Sequence, residues 1–113
     1  MKISKTKFKG LLLIEPIKNK DLRGSFTEVF RNDLLNDNLK FPISFCQDNL
    51  AYSKKNVLRG LHFQEEPYSQ SKFLYVSFGE ILDVVVDMRK NSSTYAKYFS
   101  IILSSENNKS ILI

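Results

Sequence analysis

The apolar residues of this 113-residue chain fall into strand-sized runs, separated about every ten to fifteen positions by polar turns, and that spacing favours β structure along the whole length. Leu11-Leu12-Leu13-Ile14 is stopped by Pro16. Ser25 to Phe30 alternates, with Phe26, Glu28 and Phe30 on one side. Ile43 to Asn49, Val57 to Gln64 and Lys72 to Phe78 are further candidates. Gly79-Glu80 makes a tight turn into Ile81 to Met88, Tyr98 to Leu103 follows, and Ser110 to Ile113 opens a last strand. A two-residue turn at Gly79-Glu80 would set Lys72 opposite Asp87 and Val76 opposite Asp83, so that Lys72, Asp83 and Asp87 share a face. Helix signals are scarce. One short turn is expected within Arg31 to Asn38, capped by Asn32 or Asp33. The expected class is all-β, an antiparallel barrel or sandwich.

Length and composition narrow the classes further. A mass of 13.1 kDa suits one domain spanning residues 1–113, with one modest core. With 42% hydrophobic and 26% charged residues, a disordered or low-complexity chain is excluded. No apolar run approaches the roughly 20 residues that a membrane helix needs. Met1 to Lys5 carries charge but no apolar stretch follows, so no signal peptide is expected and the chain is placed in the cytoplasm, away from membranes. The single cysteine, Cys46, rules out an intrachain disulfide. Its neighbours Ile43 and Phe45 suggest a buried structural thiol. The net charge of +5 favours anionic partners. The basic residues are scattered singly, without a block or recognition-helix pattern, so nucleic-acid binding is not expected.

The densest chemical cluster is Leu58-Arg59-Gly60-Leu61-His62-Phe63-Gln64. His62 is the only histidine. A lone histidine in a strand is commonly a surface or satisfied core residue, but here Arg59 offers a bidentate anion contact and Gln64 an amide on the same strand face as His62. Arg59 and His62 are three positions apart and share a cavity only if the strand bends, which Gly60 permits. A second cluster is Asp21 to Glu28, a turn with Gly24 supplying unusual φ. Its Arg23, Phe26 and Glu28 are a guanidinium, a ring and a carboxylate suited to a phosphate and a base. Gln47-Asp48-Asn49 closes an apolar strand and reads equally as a turn. Lys72, entering the next strand, is either a solvated strand start or an inward cation. No metal-ligand spacing, Gly-rich phosphate loop or Ser–His–Asp order is legible. The residues alone describe a basic, polar cavity around one histidine, suited to proton transfer on an anionic ligand.

At these residues the chain resembles the dTDP-4-dehydrorhamnose 3,5-epimerases. The resemblance rests on Asp21-Leu22-Arg23-Gly24-Ser25-Phe26, Gln47-Asp48-Asn49, Val57 to Gln64, Gln70-Ser71-Lys72, Gly79 to Val84 and Val86-Asp87-Met88-Arg89, in order and at similar spacing over essentially the whole chain. It implies a cupin-type jelly roll, a homodimer, and inversion at C3 and C5 of a dTDP-linked 4-keto-6-deoxyhexose. By resemblance His62 is the base and Lys72 stabilises the enolate oxygen. Arg23 and Arg59 hold the nucleotide diphosphate-sugar, Glu28 and Gln47 to Asn49 hold the nucleotide or sugar, and Phe26 packs against the base. No cofactor and no metal is implied, because the substrate already carries the activating ketone.

Family members continue past the strand matching Ile111-Leu112-Ile113. They carry a Pro-x-Gly-x-Ala-His-Gly-Phe-like stretch, then a tyrosine acting as general acid, then an aspartate that orients the histidine. None of Tyr52, Tyr68, Tyr75, Tyr95 or Tyr98 matches that tyrosine. The jelly roll is therefore expected to be incomplete at its C-terminus, and Ile111 to Ile113 to be either a terminal edge strand or the start of a longer fold. Alternatives to the epimerase are a non-catalytic dTDP-sugar-binding fragment and a related single-site 3- or 5-epimerase.

Overall fold

The computed structural model describes residues 1–113 and contains eight strands and one short helix. They are β1 (Lys2–Lys5), β2 (Leu12–Glu15), β3 (Lys18–Asp21), β4 (Gly24–Thr27), α1 (Asn32–Asn36), β5 (Phe73–Tyr75), β6 (Glu80–Val86), β7 (Tyr98–Ser104) and β8 (Ser110–Leu112). Four of them build one antiparallel sheet in the order β1-β2-β8-β5. The ribbons β3–β4 and β6–β7 are separate two-stranded sheets. The all-β expectation holds, with α1 as the only helix.

Strand alternation sorts the sheet's side chains into two buried layers. Leu12, Ile14 and Leu112 point one way and pack with Leu35 of α1, joined by Ile3, Leu39, Ile43, Phe45 and Phe73. Leu11 and Ile111 gather with Phe8 and Leu103 on the other side, against Leu74, Val76, Val85, Phe99 and Ile101. The β6–β7 ribbon is thus laid over one face of the sheet, and α1 with the chain after it over the other. Ile111 and Leu103 are fully buried.

The ends of the ribbon are tied to the rest by one side-chain knot. Buried Asp87 accepts from the backbone N–H and Nε of Arg89 through Oδ1, at 3.1 and 2.8 Å. Its Oδ2 accepts from Arg89 Nη2, Ser92 and Thr94, at 2.8, 2.6 and 2.6 Å. Arg89 Nη1 also donates to the Lys9 carbonyl at 2.7 Å, linking the turn after β6 to the segment before β2. The hydrogen-bonded Arg89 guanidinium, with help from both hydroxyls, holds the Asp87 carboxyl well below the usual carboxylate range.

Several local expectations are corrected. Ile43 to Asn49 and Val57 to Gln64 are not strands; no neighbouring strand offers them a ladder, and a strand without a partner leaves its N–H and C=O groups unpaired. Lys72 is not opposite Asp87. The turn at Gly79 carries the chain from the four-stranded sheet into a different one, so β5 pairs with β8 and β6 with β7. Ser110 to Leu112 is no edge strand, because β2 and β5 flank it. Cys46 is exposed rather than buried. The α1 cap is Arg31 without a side-chain cap bond, and Asp33 instead pairs with the Arg31 guanidinium at 2.6 Å. Strands β1 and β3 were not anticipated. The polar stretch Lys18–Asp21 is extended because it pairs residue for residue with β4.

The accessible surface is 9189 Å². A compact chain of this mass exposes about 6,400 Å². Much of the excess lies between Cys46 and Ser71, where every residue is exposed.

Candidate functional site

The predicted site residues lie on three pieces of chain. The first is the β3–β4 hairpin. Asp21 Oδ1 accepts the Arg23 N–H at 2.8 Å, and Asp21 Oδ2 accepts Nε and Nη2 of the same arginine at 3.1 and 2.6 Å. This side-chain turn, with Gly24 at φ +137°, sets the hairpin tip. The Arg23 hydrogen bonds also lower the Asp21 pKa. An open groove runs along the tip past Asn19, Lys20, Arg23, Ser25 and Phe26. Phe26 is largely exposed and Glu28 follows on the exposed chain after β4. A bare ring beside an oriented guanidinium suits stacking on a base with a phosphate alongside.

The second piece runs from Cys46 to Ser71. It leaves the scaffold at an aromatic clamp in which Phe45 meets Phe30 and Phe73 edge-on, at ring centroids 5.5 and 6.3 Å, and Phe30 meets Phe73 at 5.3 Å. Gln47 Nε2 donates to Asn49 Oδ1 at 3.0 Å across Asp48. Arg59 Nε donates to Ser53 Oγ at 3.0 Å and Nη2 to the Tyr52 carbonyl at 3.4 Å. Gly60 has φ +94°, the region side chains avoid. A Cβ there would lie 3.0 Å from His62 Nδ1 and 3.3 Å from the His62 nitrogen. The expected bend between Arg59 and His62 is thus present, and the absence of a side chain at Gly60 is what lets the imidazole fold back against the main chain. It occurs in exposed chain rather than in a strand.

The third piece is Lys72, half-buried where the segment rejoins the sheet. Its N–H donates to the Ile113 carbonyl at 2.9 Å and its carbonyl accepts the Ile113 N–H at 2.8 Å. The backbone under this lysine is therefore fixed by β8, while the backbone under His62 is held by no sheet.

No hydrogen bond or ion pair joins the three pieces to one another. The partner of Arg23 is Asp21, those of Arg59 are Ser53 and Tyr52, and Gln47 bonds Asn49. One group of chemical interest was noted in the sequence only for the face it could share with Lys72 and Asp87. Asp83, in the middle of β6, has its Oδ2 sealed from solvent without a hydrogen-bond partner, and burial raises its pKa. The signal available was an aspartate inside the apolar run Ile81 to Val86, a position where a charge is costly unless it has work to do.

The chain is similar along its length to known proteins. The family model of dTDP-4-dehydrorhamnose 3,5-epimerase matches residues 5–113. The dTDP-4-dehydrorhamnose 3,5-epimerase of Escherichia coli K12 is 40% identical over 113 residues, all of this chain and 61% of the relative. The structure of the Bacillus anthracis dTDP-4-dehydrorhamnose 3,5-epimerase with TDP and PPi bound aligns with a TM-score of 0.91 at 41% identity, over 99% of this chain and 64% of that one. The Legionella pneumophila dTDP-6-deoxy-D-glucose-3,5-epimerase in complex with dTDP-4-keto-L-rhamnose aligns with a TM-score of 0.91 at 39% identity, over 99% and 59%. The chain thus spans about three fifths of the length of the relatives it matches. The all-β fold is that of a cupin-type jelly roll. By sequence and by fold alike, the chain belongs to the dTDP-4-dehydrorhamnose 3,5-epimerase family.

Proposed function

We propose that this chain carries the base-bearing part of an epimerase site for a dTDP-linked 4-keto-6-deoxyhexose, within one domain over residues 1–113. Protons alpha to a ketone are weakly acidic. His62 takes the proton from C3 or C5, the C–H electron pair moves into the C4 carbonyl, and the resulting enolate oxygen rests beside the Lys72 ammonium. A fixed cation at that oxygen contributes several kcal/mol to the transition state. Arg23 and Arg59 hold the diphosphate, Phe26 lies against the base, and Glu28, Gln47, Asp48 and Asn49 bind nucleotide or sugar. No cofactor enters, since the ketone supplies the activation. The protein works in the cytoplasm as a homodimer. Inversion then needs a proton delivered to the opposite sugar face.

The observation that carries this reading is the family match over residues 5–113. The two ligand-bound neighbours support the nucleotide-sugar as the ligand class. The test is proton NMR of dTDP-4-keto-6-deoxyglucose with the chain in deuterated water. Loss of the C3 or C5 proton signal supports the base. Loss with inversion means that a donor reaches the other face.

A second reading has one observation in its favour: the exposure of every residue from Cys46 to Ser71, His62 included. A solvent-exposed base is poorly set for abstraction. On that reading the chain binds dTDP-sugars without turnover, and dTDP binding with no exchange selects it.

A further inference from the structure

Asp83 is the one carboxylate in the fold with a sealed oxygen and no donor. Its neighbours explain why the donor is not local. Ile81 and Val85 flank it on the same face of β6, and Ile101 lies directly across on β7. Val85, Ile101, Phe99 and Leu103 on that face belong to the core layer that also holds Leu74 of β5. Asp83 therefore looks across the sandwich at the four-stranded sheet. An ionised carboxylate oxygen kept from water costs free energy until a donor or cation reaches it.

The cations on the facing side of that sheet can be sorted by their partners. Leu13, Ile111 and Leu74 form one cross-strand row. Two residues on in one direction lie Lys2 and Glu15, register partners, and Glu15 is ion-paired to both Lys2 at 3.5 Å and Lys109 at 3.4 Å. Two residues from Leu74 in the other direction lies Lys72, on the same face by alternation and fixed through Ile113. Of the other basic groups near this layer, Lys7 sits over the Phe8 ring, Arg89 is committed to Asp87, and exposed Lys97, two residues before Phe99 on the inward row of β7, reaches the Ser93 carbonyl at 3.5 Å. Lys72 is the cation on this face that no acid has claimed, and Asp83 is the acid that no cation has claimed. No ion pair joins the two side chains in the structure, and burial alone raises the Asp83 pKa.

We propose that Asp83 is the positioning partner of Lys72: its inward carboxylate draws the ammonium toward the interior between the sheets and fixes it where the enolate oxygen forms. The inference rests on the proposed role of Lys72. A lysine tip carries four rotatable bonds, and an opposing carboxylate narrows where it spends its time. Asp83 touches no substrate in this scheme and acts through the lysine.

The test is an NMR titration of the full 113-residue chain, following the Lys72 ε-methylene and the Asp83 carboxyl in wild type, Asp83→Asn and Lys72→Met. Coupling predicts that the Lys72 midpoint falls by about one unit in Asp83→Asn and that the Asp83 midpoint rises by a similar amount in Lys72→Met. Unchanged midpoints in both variants overturn the pair. Asp83→Asn removes a charge that burial disfavours, so folding is expected to survive, and Lys72→Met is the independent second arm. Deuterium exchange then reads the consequence: Asp83→Asn lowers the exchange rate about 10–100-fold with dTDP binding within about two-fold, and Asp83→Glu recovers part of it. Exchange at the wild-type rate in Asp83→Asn overturns the positioning role. Coupled titrations with no exchange in the wild type retire the epimerase reading while leaving the ion pair standing.

Discussion

The β6–β7 ribbon and the segment from Cys46 to Ser71 are of comparable size and are both rich in apolar side chains, yet they end in opposite situations. The ribbon pairs along seven positions and turns Val85, Phe99, Ile101 and Leu103 into a core layer. The segment has Leu50, Tyr52, Leu58, Leu61 and Phe63 to offer and buries none of them. The difference is partnership rather than composition. β6 finds β7 after a short connection, and their shared face finds Leu74, Leu11 and Ile111. The segment runs from the aromatic clamp of Phe30, Phe45 and Phe73 to β5, the edge strand of its sheet, and pairs with neither. The scaffold supplies stability and the segment carries the histidine and most of the predicted ligand contacts. Changes in the two regions should therefore separate cleanly into effects on folding and effects on chemistry.

The sharpest separation is expected at His62. Replacing it with alanine removes the proposed base, and a positioned base is worth about 10²–10⁴-fold. Deuterium exchange at C3 and C5 of the keto-sugar should fall by that factor, while the denaturant midpoint stays within error of wild type because the imidazole is exposed and makes no hydrogen bond. A large loss of stability instead would mean that the segment packs onto the scaffold in solution.

Next in size is Ile111→Ala. Ile111 is fully buried in the layer between sheet and ribbon, where deleting this much side chain costs about 3–4 kcal/mol through lost transfer energy and the cavity left behind. Urea unfolding measures it. dTDP binding to the folded fraction should be retained, since no predicted contact residue belongs to that layer.

Asp87→Asn should cost somewhat less, about 2–3 kcal/mol at pH 7, because it weakens the bonds from Arg89 and upsets those from Ser92 and Thr94 in a buried place. The pH dependence has a definite sign. The folded carboxyl titrates below its unfolded value of about 3.9, so its contribution is complete above that value and is lost as the pH falls beneath it. The stability gap between wild type and Asp87→Asn should stay constant from pH 8 to 5 and narrow toward pH 3. Asp83 sits four residues earlier, within β6, and should behave in the opposite sense. Burial raises its pKa, so its charge destabilises the fold at neutral pH and that penalty is relieved in acid.

The contrast between the two regions also sets how much was legible in the sequence. Strands β2, β6, β7 and β8 were readable because each is an apolar run with turn residues at its ends and a partner in the chain. The glycine bend before His62 and the Asp21–Arg23 turn were readable because both are local, settled within a few residues by φ and a side-chain bond. Val57 to Gln64 has the alternation of a strand, but alternation reports only which faces would differ, and a ladder needs a second strand that sequence pattern does not supply. The β5–β6 hairpin failed for a related reason: a glycine turn fixes a change of direction, and only long-range pairing decides that β5 joins β8. The roles of the site residues came through family spacing, which no propensity or period contains. Asp83 was set on the face of Lys72 only through a hairpin that does not form, and its missing donor is visible only once the facing sheet is in place.

The smallest expected effect is the one most able to break the comparison. Leu58 is 89% exposed and Leu61 is 73% exposed, and both belong to the most family-like string in the chain. Surface apolar residues replaced by serine typically change stability by less than about 0.5 kcal/mol. The double variant Leu58→Ser, Leu61→Ser should accordingly unfold at the same denaturant concentration as wild type. Its exchange rate should also be nearly unchanged, because neither side chain bears a proton or a charge and the bend that shapes the histidine belongs to Gly60. A cost above about 1 kcal/mol would show that these side chains are covered in solution. If dTDP restores the lost stability, the cover is a closed nucleotide site that orders the segment. If raising the protein concentration restores it, the cover is a second copy of the chain, and the segment becomes part of the proposed homodimer rather than an open surface.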